Sequence, residues 1–304
     1  MASFTSFLPK DVKFHRGRVT SIDHPAGKII LDDGKELQFD YLVVATGSNY
    51  GGPLKSVSKD LETLTTEIKD MAGRIKEANR ILIIGGGSTG VELAGEIATD
   101  LPEKKVTLAH AGPALIPGPF KAQTGVRALR KLQALGVNVE LDVKVKGLKP
   151  EEVAQGYTHT TRTVQATSIY AWAKGAPNSH LLTSLGAETM DEKGYVKVEP
   201  TLQLSRYPNI FAVGDVCNAD IDLASAARGQ GALAATNLLA LLHSTSPPKL
   251  TTYRKMPNII MVTIGRNDGV FALPFMVLGG WITRMLKGKD FMVGLFRKEV
   301  DLSS

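Results

Sequence analysis

The stretch Arg80–Gly95, RILIIGGGSTGVELAG, decides the fold. Its apolar run Ile81–Ile84 reads as a buried parallel strand. Gly85, Gly87 and Gly90 follow with the spacing G-x-G-x-x-G, and a helix rich in small residues begins at once. Val106–Ala109 then supplies a second short strand. Strand, glycine turn, helix and strand in this order form a dinucleotide-binding unit. The glycines permit a tight turn, a close approach of backbone to a pyrophosphate, and close packing of helix on strand. The helix N-terminus turns free N–H groups and its positive dipole end toward the phosphates. The motif alone is weak evidence, and the context gives it weight.

Working outward, Lys59–Glu77 has helical spacing and leads into the unit, with Leu61, Leu64, Ile68, Met71 and Ile75 on one face. Gln123–Leu135 predicts an amphipathic helix ending before Gly136, and Val137–Leu141 a third strand. Lys144–Arg162 is polar and predicts a hairpin or loop, with strand character returning over Val164–Trp172. Upstream, Val12–Ile22 and Lys28–Leu31 predict a small antiparallel ribbon, with Asp32-Asp33-Gly34 as turn chemistry. Phe39–Ser48 predicts a buried strand ending in a small polar turn, where an open α/β sheet places ligands.

Downstream, Tyr195–Val198 and Thr201–Leu204 predict a short ribbon. Ile210–Asp215 predicts a buried strand that stops at Gly214 and Asp215. An aspartate there can accept hydrogen bonds from a sugar hydroxyl or can cap a turn. The helix over Leu223–Leu242 starts with small residues, which let its end approach a backbone or a flat ring. Ile259–Ile264 and Val270–Phe275 are strand-like.

The chain has 304 residues, 43% hydrophobic and 22% charged, which is ordinary globular composition. No apolar run reaches the ~18 residues of a spanning helix. No secretory leader and no glycine at position two for myristoylation are evident. The lone cysteine, Cys217, excludes a disulfide scaffold, a cysteine-rich metal site and a dithiol pair within one chain, and points to a reducing, intracellular compartment. The net charge is +6, and the excess lies between Arg254 and Lys298, where eight bases meet two acids. Trp281, Met285 and Leu286 beside Arg284, Lys287 and Lys289 form a candidate membrane-surface patch. The same residues also suit an apolar face packed on the domain under solvated cations. The basic segment matches no nucleic-acid module.

Together these motifs resemble the pyridine-nucleotide-dependent flavoprotein reductases with two dinucleotide-binding domains. Within them the chain is most similar to apoptosis-inducing-factor-like, ferroptosis-suppressor-type oxidoreductases. Tyr41–Ser48 (YLVVATGS), Ile84–Ala94 (IGGGSTGVELA) and Asn209–Asp215 (NIFAVGD) carry the resemblance, and Ile264–Val270 (IGRNDGV) makes it specific. It implies an α/β fold of two Rossmann-like domains plus a small C-terminal α+β segment. Residues 1–75 and 179–250 would form the FAD domain, 76–178 an inserted NAD(P) domain, and 251–304 the C-terminal segment. Gly85, Gly87 and Gly90 would bind the NAD(P)H pyrophosphate, with Glu92 near the nicotinamide ribose or ring. Thr46, Gly47 and Gly175 would sit beside FAD. Gly214 and Asp215 would meet its ribityl or phosphate region, and the helix starting near Ala224 its pyrimidine edge, where the helix dipole can stabilise charge. The implied activity is hydride transfer from NAD(P)H to FAD and electron delivery to a quinone-like or aromatic acceptor. The implied setting is the cytoplasm, on or near mitochondrial or other intracellular membranes.

Three features depart from that family. Relatives open with a strand and a second G-x-G-x-x-G for the FAD pyrophosphate, and this chain has none before Asp40. The FAD domain is therefore expected to be incomplete, with an open sheet edge and weakened FAD binding. The second strand of the nucleotide unit ends in Leu108-Ala109-His110, without the acid that reads a ribose 2′-hydroxyl. Lys174 stands before Gly175 where relatives carry threonine. No dedicated general acid is evident, and His110, Tyr170 and Lys174 are the weak candidates. Two other readings remain: an NAD(P)-binding homologue without redox activity, and a biosynthetic enzyme acting on an aromatic intermediate.

Overall fold

The computed structural model describes residues 8–49, 60–145, 157–158, 163–164, 168–171, 176–288 and Gly294, with 157–158, 163–164 and 168–171 described as backbone. Its elements run β1 (Val19–Asp23), β2 (Lys28–Leu31), β3 (Glu36–Gln38), β4 (Leu42–Val44) and β5 (Ser48–Asn49). Next come α1 (Leu61–Glu77), β6 (Arg80–Ile84), α2 (Ser88–Asp100), β7 (Lys105–Ala109), α3 (Ala122–Ala134) and β8 (Asn138–Glu140). Then follow β9 (Tyr157–Thr158), β10 (Thr163–Val164), β11 (Ser168–Ala171), β12 (Ala176–Pro177), β13 (Gln203–Leu204), β14 (Tyr207–Ala212) and α4 (Ala224–His243). The last are β15 (Ile260–Thr263), β16 (Gly269–Ala272), β17 (Val277–Leu278) and the short α5 (Gly280–Thr283), which runs into a wide turn at Arg284–Gly288. They fall into two compact units, Met1–Asn49 with Gly175–Met256, and Tyr50–Lys174 with Pro257–Ser304.

The second unit is built on a sheet of order β11-β6-β7-β8, parallel throughout. Ile81, Leu82 and Ile83 of β6 are all buried, because a strand between two parallel neighbours is covered on both faces. Val91, Ala94, Ile97 and Ala98 of α2 and Ala128 and Leu132 of α3 complete one core. The same core takes in Ile260, Val262, Ile264, Val270 and Ala272 from the antiparallel sheet β15-β16-β17. A Cβ on Gly95 would stand 2.8 Å from Gly265 N and Ile264 Cα, so the C-terminal sheet lies directly on the backbone of α2. α1 starts at Asp60, whose carboxylate accepts the Thr63 N–H at 2.7 Å.

The first unit holds an antiparallel ribbon β1-β2-β3 and a three-stranded sheet β13-β14-β4, in which β14 and β4 run parallel. Ile22, Val44, Leu182, Leu185, Val196, Ile210, Ala212 and Val216 form its main core. Among the described residues β4 is an edge strand.

Several boundaries differ from the sequence reading. The Phe39–Ser48 stretch is not one buried strand: β4 covers Leu42–Val44, Val43 is 39% exposed, and the chain bends through Gly47 at φ 67° before β5. Alternation of β propensity overlooked that one face of an edge strand keeps water. The expected ribbon between Tyr195–Val198 and Thr201–Leu204 does not form; Val196 bridges Met190 and Cys217, and β13 pairs with β14 instead. The first strand begins at Val19, not near Val12. Most of Lys144–Arg162, together with Trp172, lies outside the described residues.

Candidate functional site

The first candidate site is the turn between β6 and α2 in the second unit. Gly85 has φ 117°, and its N–H donates to Ala109 O at 2.8 Å, so the turn is tied to the end of β7. A Cβ on Gly90 would lie 1.9 Å from Gly85 O, which fixes glycine there and brings α2 against the turn. Around a Cβ on Gly87 there is open space. No side chain caps α2. Its first N–H groups are thus arranged as an anion site needs. The geometry fits a dinucleotide pyrophosphate.

His110, directly after β7, folds back over this turn. The Gly86 N–H donates to its Nδ1 at 3.1 Å, and its buried Nε2 has no hydrogen-bond partner. Burial holds its pKa below the ordinary histidine value.

Glu92, one turn into α2, faces the C-terminal segment. Its Oε1 accepts from Thr263 N at 3.1 Å, Thr263 Oγ1 at 3.2 Å and Lys287 Nζ at 2.5 Å. Glu96 follows on the same face, with a buried Oε1 that has no partner. Burial, then the nearby Asp100, raises its pKa. Asp100 itself pairs with Arg266 at 2.8 Å. The C-terminal segment therefore pairs with both ends of a three-carboxylate row, and Arg266 acts on the middle one by charge alone, without an ion-pair contact.

The second candidate site is in the first unit, where β4 and β14 end side by side. Ser48 Oγ donates to Asp215 Oδ2 at 2.9 Å. The Gly214 N–H donates to Oε1 of the buried Gln230 at 2.7 Å. Thr46 Oγ1 donates to Asn178 O at 2.7 Å, and the Asn178 N–H returns to Gly47 O at 2.8 Å. Thr46, Gly47, Gly214 and Asp215 are thus brought into one polar turn cluster. Gly175 lies outside the described residues. α4 begins with exposed Ala224 and Ser225 and has no side-chain cap. A carboxylate, a hydroxyl and an uncapped helix end with small side chains fit the ribityl and ring end of a flavin. For the pyrophosphate end, the described residues hold no second glycine turn of the β6–α2 kind.

Neighbouring groups are not poised for acid–base work. Burial and Asp222, which accepts the Tyr195 hydroxyl at 2.9 Å, keep that phenol protonated. Burial and Asp220 push Tyr253 up to about 12. Burial likewise raises the Cys217 thiol. Among the described residues no group of three or more His, Cys, Asp or Glu side chains could hold a metal ion.

The sequence reading missed Ser48, Gln230 and Thr263 as partners. Gln230 alone carried a visible signal, a single amide in the small-residue start of α4.

Residues 5–231 match the pyridine nucleotide-disulphide oxidoreductase family, and the chain belongs to it. Among its relatives, the FAD-dependent oxidoreductase FVFD30 of Flammulina velutipes is 34% identical over 302 residues, covering 95% of this chain and 93% of that protein. Ferroptosis suppressor protein 1 of Xenopus tropicalis is 32% identical over 298 residues, 94% of this chain and 78% of that one. Apoptosis-inducing factor homolog A of Dictyostelium discoideum is 31% identical over 319 residues, 95% of this chain and 76% of that one. Of solved structures, the sulfide:quinone oxidoreductase of Aquifex aeolicus shares the fold with a TM-score of 0.71 at 18% identity, covering 96% of this chain and 79% of that one. Reduced CoADR-RHD of Bacillus anthracis gives 0.65 at 18% identity, where 84% of this chain spans 47% of that longer one.

Proposed function

We propose that this chain is an NAD(P)H-dependent, FAD-linked oxidoreductase that passes reducing equivalents to a quinone-like or aromatic acceptor. The observation that carries the reading is the β6–α2 turn, where Gly90 meets Gly85 O and Gly87 opens to space. Gly85, Gly87 and Gly90 hold the NAD(P)H pyrophosphate on the N-terminus of α2. Glu92 is fixed through one oxygen by Thr263 and Lys287, which orients its carboxylate for the nicotinamide ribose or ring. Asp215, held by Ser48, would accept from flavin hydroxyls, and Thr46, Gly47 and Gly214 would line the same cofactor. When bound, FAD supplies hydride acceptance and onward electron transfer. The start of α4 offers its positive end to charge on the flavin. The names of the FAD-dependent relative and of the quinone oxidoreductase support the cofactor and the acceptor class.

A membrane surface is the setting this reading favours. Phe275 is 85% exposed, Trp281 70% and Met285 66%, and Met276 and Leu286 are also exposed. Arg284 stands among them, exposed. Lys287 is committed to Glu92, and Lys289 lies outside the described residues. Among the described residues no helix is long and apolar enough to cross a membrane.

Flavin titration followed by NADH oxidation with a soluble quinone tests the proposal. The expected result is a yellow complex and quinone-dependent NADH consumption. A chain that binds NAD(P)H yet stays colourless in excess FAD would favour the nucleotide-binding homologue. An aromatic metabolite converted without NADH consumption would favour the biosynthetic reading.

A further inference from the structure

We propose that His110 is a positioning residue for dinucleotide binding, whose neutral imidazole holds the phosphate-binding turn in shape by accepting the Gly86 N–H. The inference rests on the reading of the β6–α2 turn as the NAD(P) site.

His110 occupies the position where a dinucleotide fold usually sets an acid against the ribose 2′-hydroxyl. Here the side chain is turned inward. Its backbone is fixed first: the His110 N–H donates to Glu140 O at 2.8 Å, and its carbonyl accepts from Val143 N at 2.9 Å. From this anchor the ring lies on the turn so closely that a Cβ on Gly86 would meet His110 Cγ at 2.7 Å. The same Cβ would also meet Leu115 Cδ2 at 2.6 Å. Gly86 is thus clasped between the imidazole and a leucine, and its N–H points at Nδ1, 3.1 Å away.

The remaining bonds of the turn are also made within the protein. Gly85 N donates to Ala109 O at 2.8 Å, and Gly86 O accepts from Ile116 N at 2.7 Å. A turn ordered before the ligand arrives spares binding the cost of ordering it. His110 provides the one bond of this set that involves a titratable group.

An imidazole that accepts at Nδ1 carries its proton at Nε2. That nitrogen is buried against Gly112, where a Cβ would stand 3.1 Å from it. A second proton would place an N–H donor against the Gly86 N–H and a charge in a buried place. Burial disfavours that charge, while the Ala114 carbonyl and Asp142, two residues beyond the end of β8, pull the other way. Asp142 is the charged group acting on the ring among the described residues. As pH falls through the imidazole's range, the bond to Gly86 is lost and the turn is loosened.

Calorimetric titration of NAD+, which survives acid, into the full chain between pH 7.5 and 5 tests this. The wild-type Kd should rise as pH falls through the imidazole's range and level off about fivefold higher, the loss of one net hydrogen bond. His110→Asn, whose Oδ1 can accept in place of Nδ1 and does not titrate, should keep the pH 7.5 affinity within about threefold and lose the acid limb. His110→Leu should bind roughly fivefold more weakly at every pH, the worth of one net hydrogen bond. A wild-type affinity that rises on acidification would make His110 a phosphate-binding cation and overturn the proposal, as would a flat profile. No NAD+ binding at any pH would instead overturn the reading of the site. The imidazole nitrogen spectrum of the free protein then judges His110 by itself. The Nε2–H tautomer, with a Gly86 amide that shifts as the ring titrates, supports the role, and the Nδ1–H tautomer contradicts it.

Discussion

The two strand-end turns of this molecule were built by the same folding logic and ended differently. At the end of β6, a strand with a parallel neighbour on each side carries the turn, which is held by the close approach of Gly90 to Gly85 O, by backbone hydrogen bonds and by one side chain, His110. At the ends of β4 and β14, side chains do the fixing: Ser48 holds Asp215, and Gln230 holds Gly214. A turn held mainly by backbone contacts on a central strand keeps most of its order without a ligand. A turn defined by side-chain hydrogen bonds on an edge strand has less to hold it, since each such bond is worth only about 1 kcal/mol net. The first site should therefore act as a self-sufficient nucleotide grip, and the second should gain order from its cofactor.

The largest expected effect breaks the first turn. Gly90→Val should destabilise the second unit by about 3 kcal/mol, the upper end of overpacking costs, because its Cβ would overlap a backbone oxygen. Urea unfolding and loss of NAD+ binding would record it.

A matched pair of truncations sharpens the contrast between the sheets. Ile83→Ala, at a residue with 0% exposure, should cost about 2–5 kcal/mol, whereas Val43→Ala on the edge strand should stay within about 0.5 kcal/mol. Equal costs in chemical denaturation would mean that β4 is as well covered as β6.

A smaller effect concerns the clasp on α2. Lys287→Met should lower stability by about 1 kcal/mol, since the pair with Glu92 is only partly exposed, and the loss should shrink in high salt. The smallest is a gain. Glu96 binds its proton more tightly folded than unfolded, so it favours folding most below the ordinary glutamate range and is a liability above its raised pKa. Glu96→Gln should raise stability at pH 7 by about 0.5 kcal/mol or less, read as a slight rise in melting temperature, and do nothing at pH 4. A loss at pH 7 would show that the carboxylate is needed in its charged form.

The nucleotide turn was legible in the sequence because its logic is local. Strand, glycines and helix lie within sixteen consecutive residues, and Gly85 and Gly90 each mark a backbone constraint. The polar cluster of the first unit was half legible: Asp215 stood out at a strand end, but Ser48 reaches it from 167 residues away, and Gln230 holds the neighbouring Gly214 from 16 residues away. The role of Glu92 was shaped by Lys287, 195 residues on, and no local pattern announces such a pair. His110 was visible as a residue in the wrong place for an acid. That its ring turns inward depends on the backbone of β7 and β8, which no spacing rule encodes. An open sheet edge was expected in the first unit, but not that it would leave Val43 of β4 exposed, because apolar propensity does not say which strand lacks a neighbour.

The central claim is that the β6–α2 turn is a complete dinucleotide grip that works without help from the first unit. Isothermal titration of NAD+ into flavin-free wild-type chain, repeated with excess FAD, tests it most directly. One NAD+ bound per chain under both conditions, and none in Gly90→Val, is the predicted result. No heat of binding at millimolar NAD+ in the flavin-free chain, with binding restored only by FAD, would contradict it.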